Sequence, residues 1–116
     1  MGYILVDFDG TLAEYHGWKG PGLESIGPPI PAMVSRVLDW LNSGQEVRIF
    51  TARASVPDQI QPVIDWCKEH LGREIPVTNT KDFACIEIYD DRAKQVVFNK
   101  GIIVGCRDCD PHHGER

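Results

Sequence analysis

Apolar and polar positions along the chain alternate between two periods. Tyr3 to Phe8 (Y-I-L-V-D-F) is a continuous β-prone run, the pattern of a strand buried on both faces. Asp9-Gly10-Thr11 breaks it. The stretch from Ala13 to Pro29 holds four glycines and three prolines, too many breakers for a regular element. It is long for a connection in a small domain, and such loops are often functional. Pro31 stands at a first helical position, Met33, Val34, Val37, Leu38 and Leu41 follow at helical spacing, and Gly44 supplies the stop. Glu46 to Phe50 reads as a second strand, ending at Thr51-Ala52-Arg53. A second helix is predicted over about 57–71, with Ile60, Val63, Ile64, Cys67 and Leu71 inward and Gly72 closing it. Pro62 falls inside that pattern and predicts either a later start or a kink. A short strand near Ile75 to Thr78 leads into Asn79-Thr80-Lys81, and Ile86 to Tyr89 makes another strand, ending in Asp90-Asp91. Val96 to Phe98 and Ile102 to Val104 are two further short β candidates.

Strands alternating with helices predict an α/β domain, a mainly parallel Rossmann-like sheet with helices on both faces. In such sheets ligands gather beyond the carboxyl ends of the strands. Asp7 and Asp9, Thr51, Lys81, and Asp90 with Asp91 all fall at those ends. Four strand ends thus deliver a carboxylate pair, a hydroxyl, an ammonium and a second carboxylate pair to one rim.

Composition narrows the setting. At 116 residues and 42% apolar the chain is sized for one folded domain, and its net charge of −5 disfavours a long nucleic-acid footprint. No apolar run approaches the ~20 residues of a membrane span, and Met1 to Val6 lacks the basic start of a secretion signal. A cytoplasmic setting with reduced cysteines is expected. Cys67 and Cys85 then read as small buried hydrophobes. Cys106 and Cys109 have the spacing of half a zinc site that His112 and His113 would complete. Four ligands within eight residues leave little chain to wrap an ion, so a polar tail over 106–116 is the expectation.

Several carboxylates on one rim need a cation, and hard oxygen donors favour Mg²⁺. A phosphate ester would complete its coordination, with Lys81 and the Thr51 hydroxyl as partners for phosphoryl oxygens. Two acids one residue apart offer a nucleophile and a nearby proton donor. Gly10 lets backbone N–H groups approach a phosphate closely.

These residues carry a resemblance. D-F-D-G-T-L at Asp7 to Leu12 resembles the first motif of the haloacid dehalogenase (HAD) superfamily of phosphatases. Thr51 after V-R-I-F is similar to its second motif, Lys81 to its third, and Asp90-Asp91 after I-E-I-Y to its fourth. The motifs keep family order from residue 3 to about 105. The resemblance implies a HAD-type core over 1–105, with 13–30 as a flap loop, and a Mg²⁺-dependent phosphomonoester hydrolase. It implies that Asp7 attacks phosphorus and that Asp9 serves as general acid and base. It implies that Mg²⁺ is held by Asp7, Asp90 and the backbone carbonyl of Asp9, with Asp91 orienting Lys81 or a metal-bound water, or exchanging parts with Asp90. Thr51 and the N–H of Ala52 would bind a phosphoryl oxygen, with Gly10 and Thr11 also lining the phosphate site, and Lys81 would bridge nucleophile and transferring group.

Other readings stand beside these. Arg53 and Arg92 either contact substrate or form salt bridges within the rim. Trp18 and Lys19 either cover the site, Trp by stacking on a flat substrate and Lys by meeting an anion, or belong to a loop packed on its own domain. Trp40 and Trp66 read as helix packing residues. Neither inter-motif gap has room for a cap domain, so an open site is expected. It would suit a phosphorylated small molecule such as a nucleotide or sugar phosphate, or a phosphorylated polynucleotide end. A second copy of the chain could also shield it. The rival expectation is a catalytically silent binding or regulatory module of the same fold.

Overall fold

Residues 2–20 and 22–105 are described in a computed structural model; the cysteine–histidine tail and its zinc reading lie outside them. The first strand, β1 (Tyr3–Asp7), is central in a four-stranded, all-parallel sheet. Helix α1 (Pro31–Asn42) returns the chain to β2 (Glu46–Phe50), and α2 (Pro57–Leu71) returns it to β3 (Val77–Thr78). The last strand, β4 (Cys85–Tyr89), pairs with the other side of β1, giving the order β3-β2-β1-β4. The protein is thus a single α/β domain. No helix among the described residues is long and apolar enough to cross a membrane.

Local chemistry accounts for the helix limits. Pro31 supplies the fixed φ of a first helical residue, and Gly72 closes α2 in the left-handed region at φ 77°. α2 runs through Pro62 from its start at Pro57, so the later start predicted from that proline is not observed. The hydrogen bond Pro62 cannot make would go to Asp58, an exposed residue in the first turn, where its carbonyl lies close to solvent.

Helices on both faces were the expectation; both helices lie on one face. Ile4, Val6 and Phe8, alternating along the first strand, form one buried cluster with Val47 and Ile49, with Val37 of α1, and with Val63, Trp66, Cys67 and Leu71 of α2. The reason is topological. Two right-handed crossovers that step the same way across a sheet place both helices on the same side. Trp66 anchors this core, its ring edge-on to Phe8 at 5.0 Å and its indole N–H donating to the Gly27 carbonyl (3.0 Å). Trp40 packs on Tyr89 at 4.8 Å.

The opposite face carries the buried Tyr3 and Leu5, and the connection from β3 to β4 meets it at Tyr3. The Tyr3 hydroxyl donates to Asp82 (3.0 Å) and accepts from its N–H (2.9 Å), while Arg48 lies 3.7 Å over the ring. No helix among the described residues packs there, and Phe83, Ile86 and Ile88 stay exposed. Cys67 is buried as expected, its thiol pushed up to about 12 by burial, but Cys85 on the sparsely covered β4 is only half-buried. The two late β candidates do not join the sheet. Val96 and Ile103 form a single antiparallel bridge around a turn with Asn99 at φ 62°.

Candidate functional site

The turn after β1 is built on one carbonyl. Phe8 O accepts from the N–H groups of Thr11, Leu12 and Ala13 (2.9–3.2 Å), folding Asp9-Gly10 back over the strand end. Gly10 holds φ 86°, and a Cβ there would sit 3.0 Å from an Asp91 carboxylate oxygen. Its N–H donates to Ala13 O (2.8 Å), so the contribution of Gly10 is close approach to Asp91 rather than a free donor.

One corner of the rim is acidic. Asp7, Asp90 and Asp91 each offer a carboxylate oxygen, all within 4.8 Å of one another. Thr11, expected to line a phosphate site, ties this corner together. Its nearly buried hydroxyl lies 3.2 Å from Asp7 Oδ2 and 3.1 Å from Asp91 Oδ1, and accepts from the Asp91 N–H (3.1 Å). One hydroxyl proton therefore serves two carboxylates in turn. Burial, a hydrogen bond with Asp91 and the charge of Asp90 push Asp7 up to about 7. Asp91 is held below the usual carboxylate range, first by that same hydrogen bond. The donor set is all hard oxygen and could hold a metal cation, whose charge would reverse the upward pressure on Asp7.

The neighbouring corner is different. The Asp9 side chain turns away from the acidic cluster and takes Arg53 in a bidentate pair, Nε to Oδ2 at 2.7 Å and Nη2 to Oδ1 at 2.9 Å. Of the two readings for Arg53, the rim salt bridge is the one present. Arg53 is 6% exposed, and its Nη1 has no hydrogen-bond partner among the described residues. Its guanidinium carbon lies 5.0 Å from the Trp18 ring centre and 5.9 Å from that of Phe8. The flap loop is thus packed on its own domain and on the site at once. Its base is pinned by Glu14 N–H to Pro28 O and Ile30 N–H to Leu12 O, both 2.8 Å.

Thr51 is buried at the end of β2, and its hydroxyl accepts from the Arg53 N–H (3.1 Å), capping a short 3-10 turn over Ala52–Ser55. The hydroxyl proton has no acceptor among the described residues, leaving it free to donate. Ala52, exposed, opens that turn, where N–H groups lack partners within it. Lys81 and Lys19 are exposed and form no ion pair among the described residues. Lys81 lines an open cleft of about 1150 Å³ that also reaches β4, Asp90 and Lys94. The Arg92 side chain pairs with no acid among the described residues, while its N–H donates to Asp90 (2.8 Å).

One feature escaped the sequence and another was left open by it. That Thr11 bridges Asp7 and Asp91 across 80 positions has no local signal. The Arg53–Asp9 pair was one of two open readings, and only the short turn after Thr51 decides it by swinging Arg53 inward. Comparison with models of known protein families, with curated proteins and with solved structures finds no match to this chain.

Proposed function

We propose that the protein is a HAD-like, Mg²⁺-dependent phosphomonoester hydrolase working through Asp7. The observation that carries the reading is the convergence of Asp7, Asp90 and Asp91, from two separate strand ends, within 4.8 Å. Beside it stand the D-x-D-G-T run of the first strand and a buried Thr51 hydroxyl with an unassigned proton. Asp7, Asp90 and Asp91 would hold the cation, which when bound neutralises negative charge on carboxylates and phosphate alike.

The chain's own residues supply the rest. An Asp7 oxygen bonds to phosphorus as the ester P–O bond breaks, and the departing oxygen takes a proton from Asp9. Water then attacks the phosphorus of the aspartyl-phosphate and gives a proton to Asp9, releasing phosphate and free Asp7. Both Asp9 oxygens rest on Arg53, so this pair has to open on one side before Asp9 faces the leaving group. Thr51 and the Ala52 N–H meet a phosphoryl oxygen, while Lys81, next to the Tyr3-bound Asp82, has to swing in from the cleft beside Asp90 to add its charge.

The test is phosphate release from p-nitrophenyl phosphate with and without Mg²⁺, in the wild type and in Asp7→Asn. Release that needs Mg²⁺ and disappears in Asp7→Asn supports the reading, and unchanged activity in that variant contradicts it. The Asp9–Arg53 grip favours one rival, a binding module that holds a cation without turnover. Mg²⁺ binding with no turnover across a panel of phosphorylated metabolites and oligonucleotides would establish that rival.

A further inference from the structure

We infer that Trp18 selects the substrate of this site, its ring being the platform on which the base of a nucleoside monophosphate stacks. The inference rests on the phosphatase reading for its chemistry and on the geometry around Arg53 for its place. Three observations carry it.

The first is the position of the ring. Trp18 sits 5.0 Å over a guanidinium that is itself locked by two hydrogen bonds onto Asp9, two residues from the proposed nucleophile. A fixed cation holds the ring at the rim. The second is its exposure. Trp18 remains 54% exposed although it rests on Arg53, whereas Trp66 is 1% exposed and Trp40 is packed on Tyr89. The flap is pinned at its base, and Gly17 (φ 99°) and Gly20 (φ 109°), with open space around both, present the ring from its tip. A large aromatic face offered beside a polar site is a stacking surface.

The third is the unmet donor. Arg53 Nη1 is buried and charged, with no acceptor among the described residues, a costly condition that an oxygen or ring nitrogen of a ligand relieves once the Trp18 ring shifts to admit it. A ligand that presents a π face to Trp18 and an acceptor to Arg53 satisfies both. A sugar phosphate offers acceptors but no flat ring; a nucleobase offers both. Lys19, next in the chain and exposed, adds positive charge where a nucleotide is anionic.

The experiment compares adenosine 5′-monophosphate with glycerol phosphate in the full chain with Mg²⁺. The wild type should prefer the nucleotide in kcat/KM. Trp18→Ala should cut that preference about 10-fold or more, chiefly through KM, the scale of one base–aromatic stack. Trp18→Phe, which keeps a π face, should restore most of it, and Trp18→Leu should not. An unchanged preference in Trp18→Ala, or equal rescue by Leu and Phe, overturns the inference. A second arm uses Asp7→Asn, in which adenosine monophosphate should quench tryptophan fluorescence saturably and Trp18→Ala should remove the quench. No quench overturns the inference. Quench without turnover in the wild type would defeat the phosphatase reading alone. Turnover without nucleotide preference would defeat this inference alone. A 5′-phosphorylated oligonucleotide in the same assays tells a strand end from a free nucleotide.

Discussion

The rim has two corners built from the same residue type. Asp7 and Asp9 leave the same strand two positions apart. Asp7 meets two other carboxylates and a shared threonine proton, whereas Asp9 meets a nearly buried guanidinium through both oxygens. Environment separates them. The acidic corner stores repulsion that a cation or a proton relieves, and the basic corner stores attraction that is lost if either partner goes. Binding energy at the first corner and positional order at the second are different uses of one motif.

The largest expected difference is catalytic. On the proposed mechanism Asp7→Asn should lower phosphate release about 10³-fold or more, since no other group would replace the nucleophile, as phosphate-release kinetics would show.

Stability should move in opposite directions for the same substitution at the two corners. Asp9→Asn leaves the Arg53 charge without its anion and should cost about 2–3 kcal/mol in urea unfolding, at or just below the ~3–5 kcal/mol of fully buried pairs because Asp9 is partly exposed. Asp7→Asn removes one of three crowded carboxylates and should raise Tm by a few degrees at pH 8 without Mg²⁺. Equal signs for the two variants would collapse the comparison.

Gly10→Ala attacks the hinge between the corners. A side chain at φ 86°, with its Cβ 3.0 Å from Asp91, should cost about 1–3 kcal/mol by urea unfolding. It should also weaken Mg²⁺ binding in calorimetry. Arg53→Lys, a point charge in place of a fork, should not restore the Asp9 geometry.

The last contrast is in pH dependence, where the opposed shifts of Asp7 and Asp91 partly cancel. Asp7 is raised from 3.8 to about 7, so the folded chain holds that proton more tightly than the unfolded one. The stability from this group is complete below about pH 4 and is lost as pH rises through about 7. Asp91, shifted downward by the same hydrogen bond, contributes in the opposite sense, losing its share as pH falls. A thermal-melt series between pH 4 and 8 should therefore show Tm falling toward neutrality from the Asp7 contribution. Mg²⁺ at about 100 times its Kd should offset this with about 2.7 kcal/mol.

Much of the first half was legible. β1, α1, β2 and α2 lie where periodicity and Pro/Gly punctuation place them, because local spacing and burial agree there. The later chain was harder. Ile86 to Tyr89 read as a strand without a burial signal, and because the crossover from β3 carries no helix, Ile86 and Ile88 stay exposed. Alternation of strands and helices says how many crossovers exist but not which way each steps, and step direction put both helices on one side. At the site, the acids were legible from strand-end position. Which acid faces which partner was not, because the Thr11 bridge and the Arg53 pair depend on side chains brought together from 80 and 44 positions away.

The most direct test of the account is to catch the covalent step. The wild-type protein would be mixed with a phosphomonoester and Mg²⁺, quenched in acid within the first turnovers, digested and examined by mass spectrometry. The account predicts a phosphoryl group on the peptide carrying Asp7, absent in Asp7→Asn. Turnover without an adduct on that peptide, or an adduct on another residue, would contradict it.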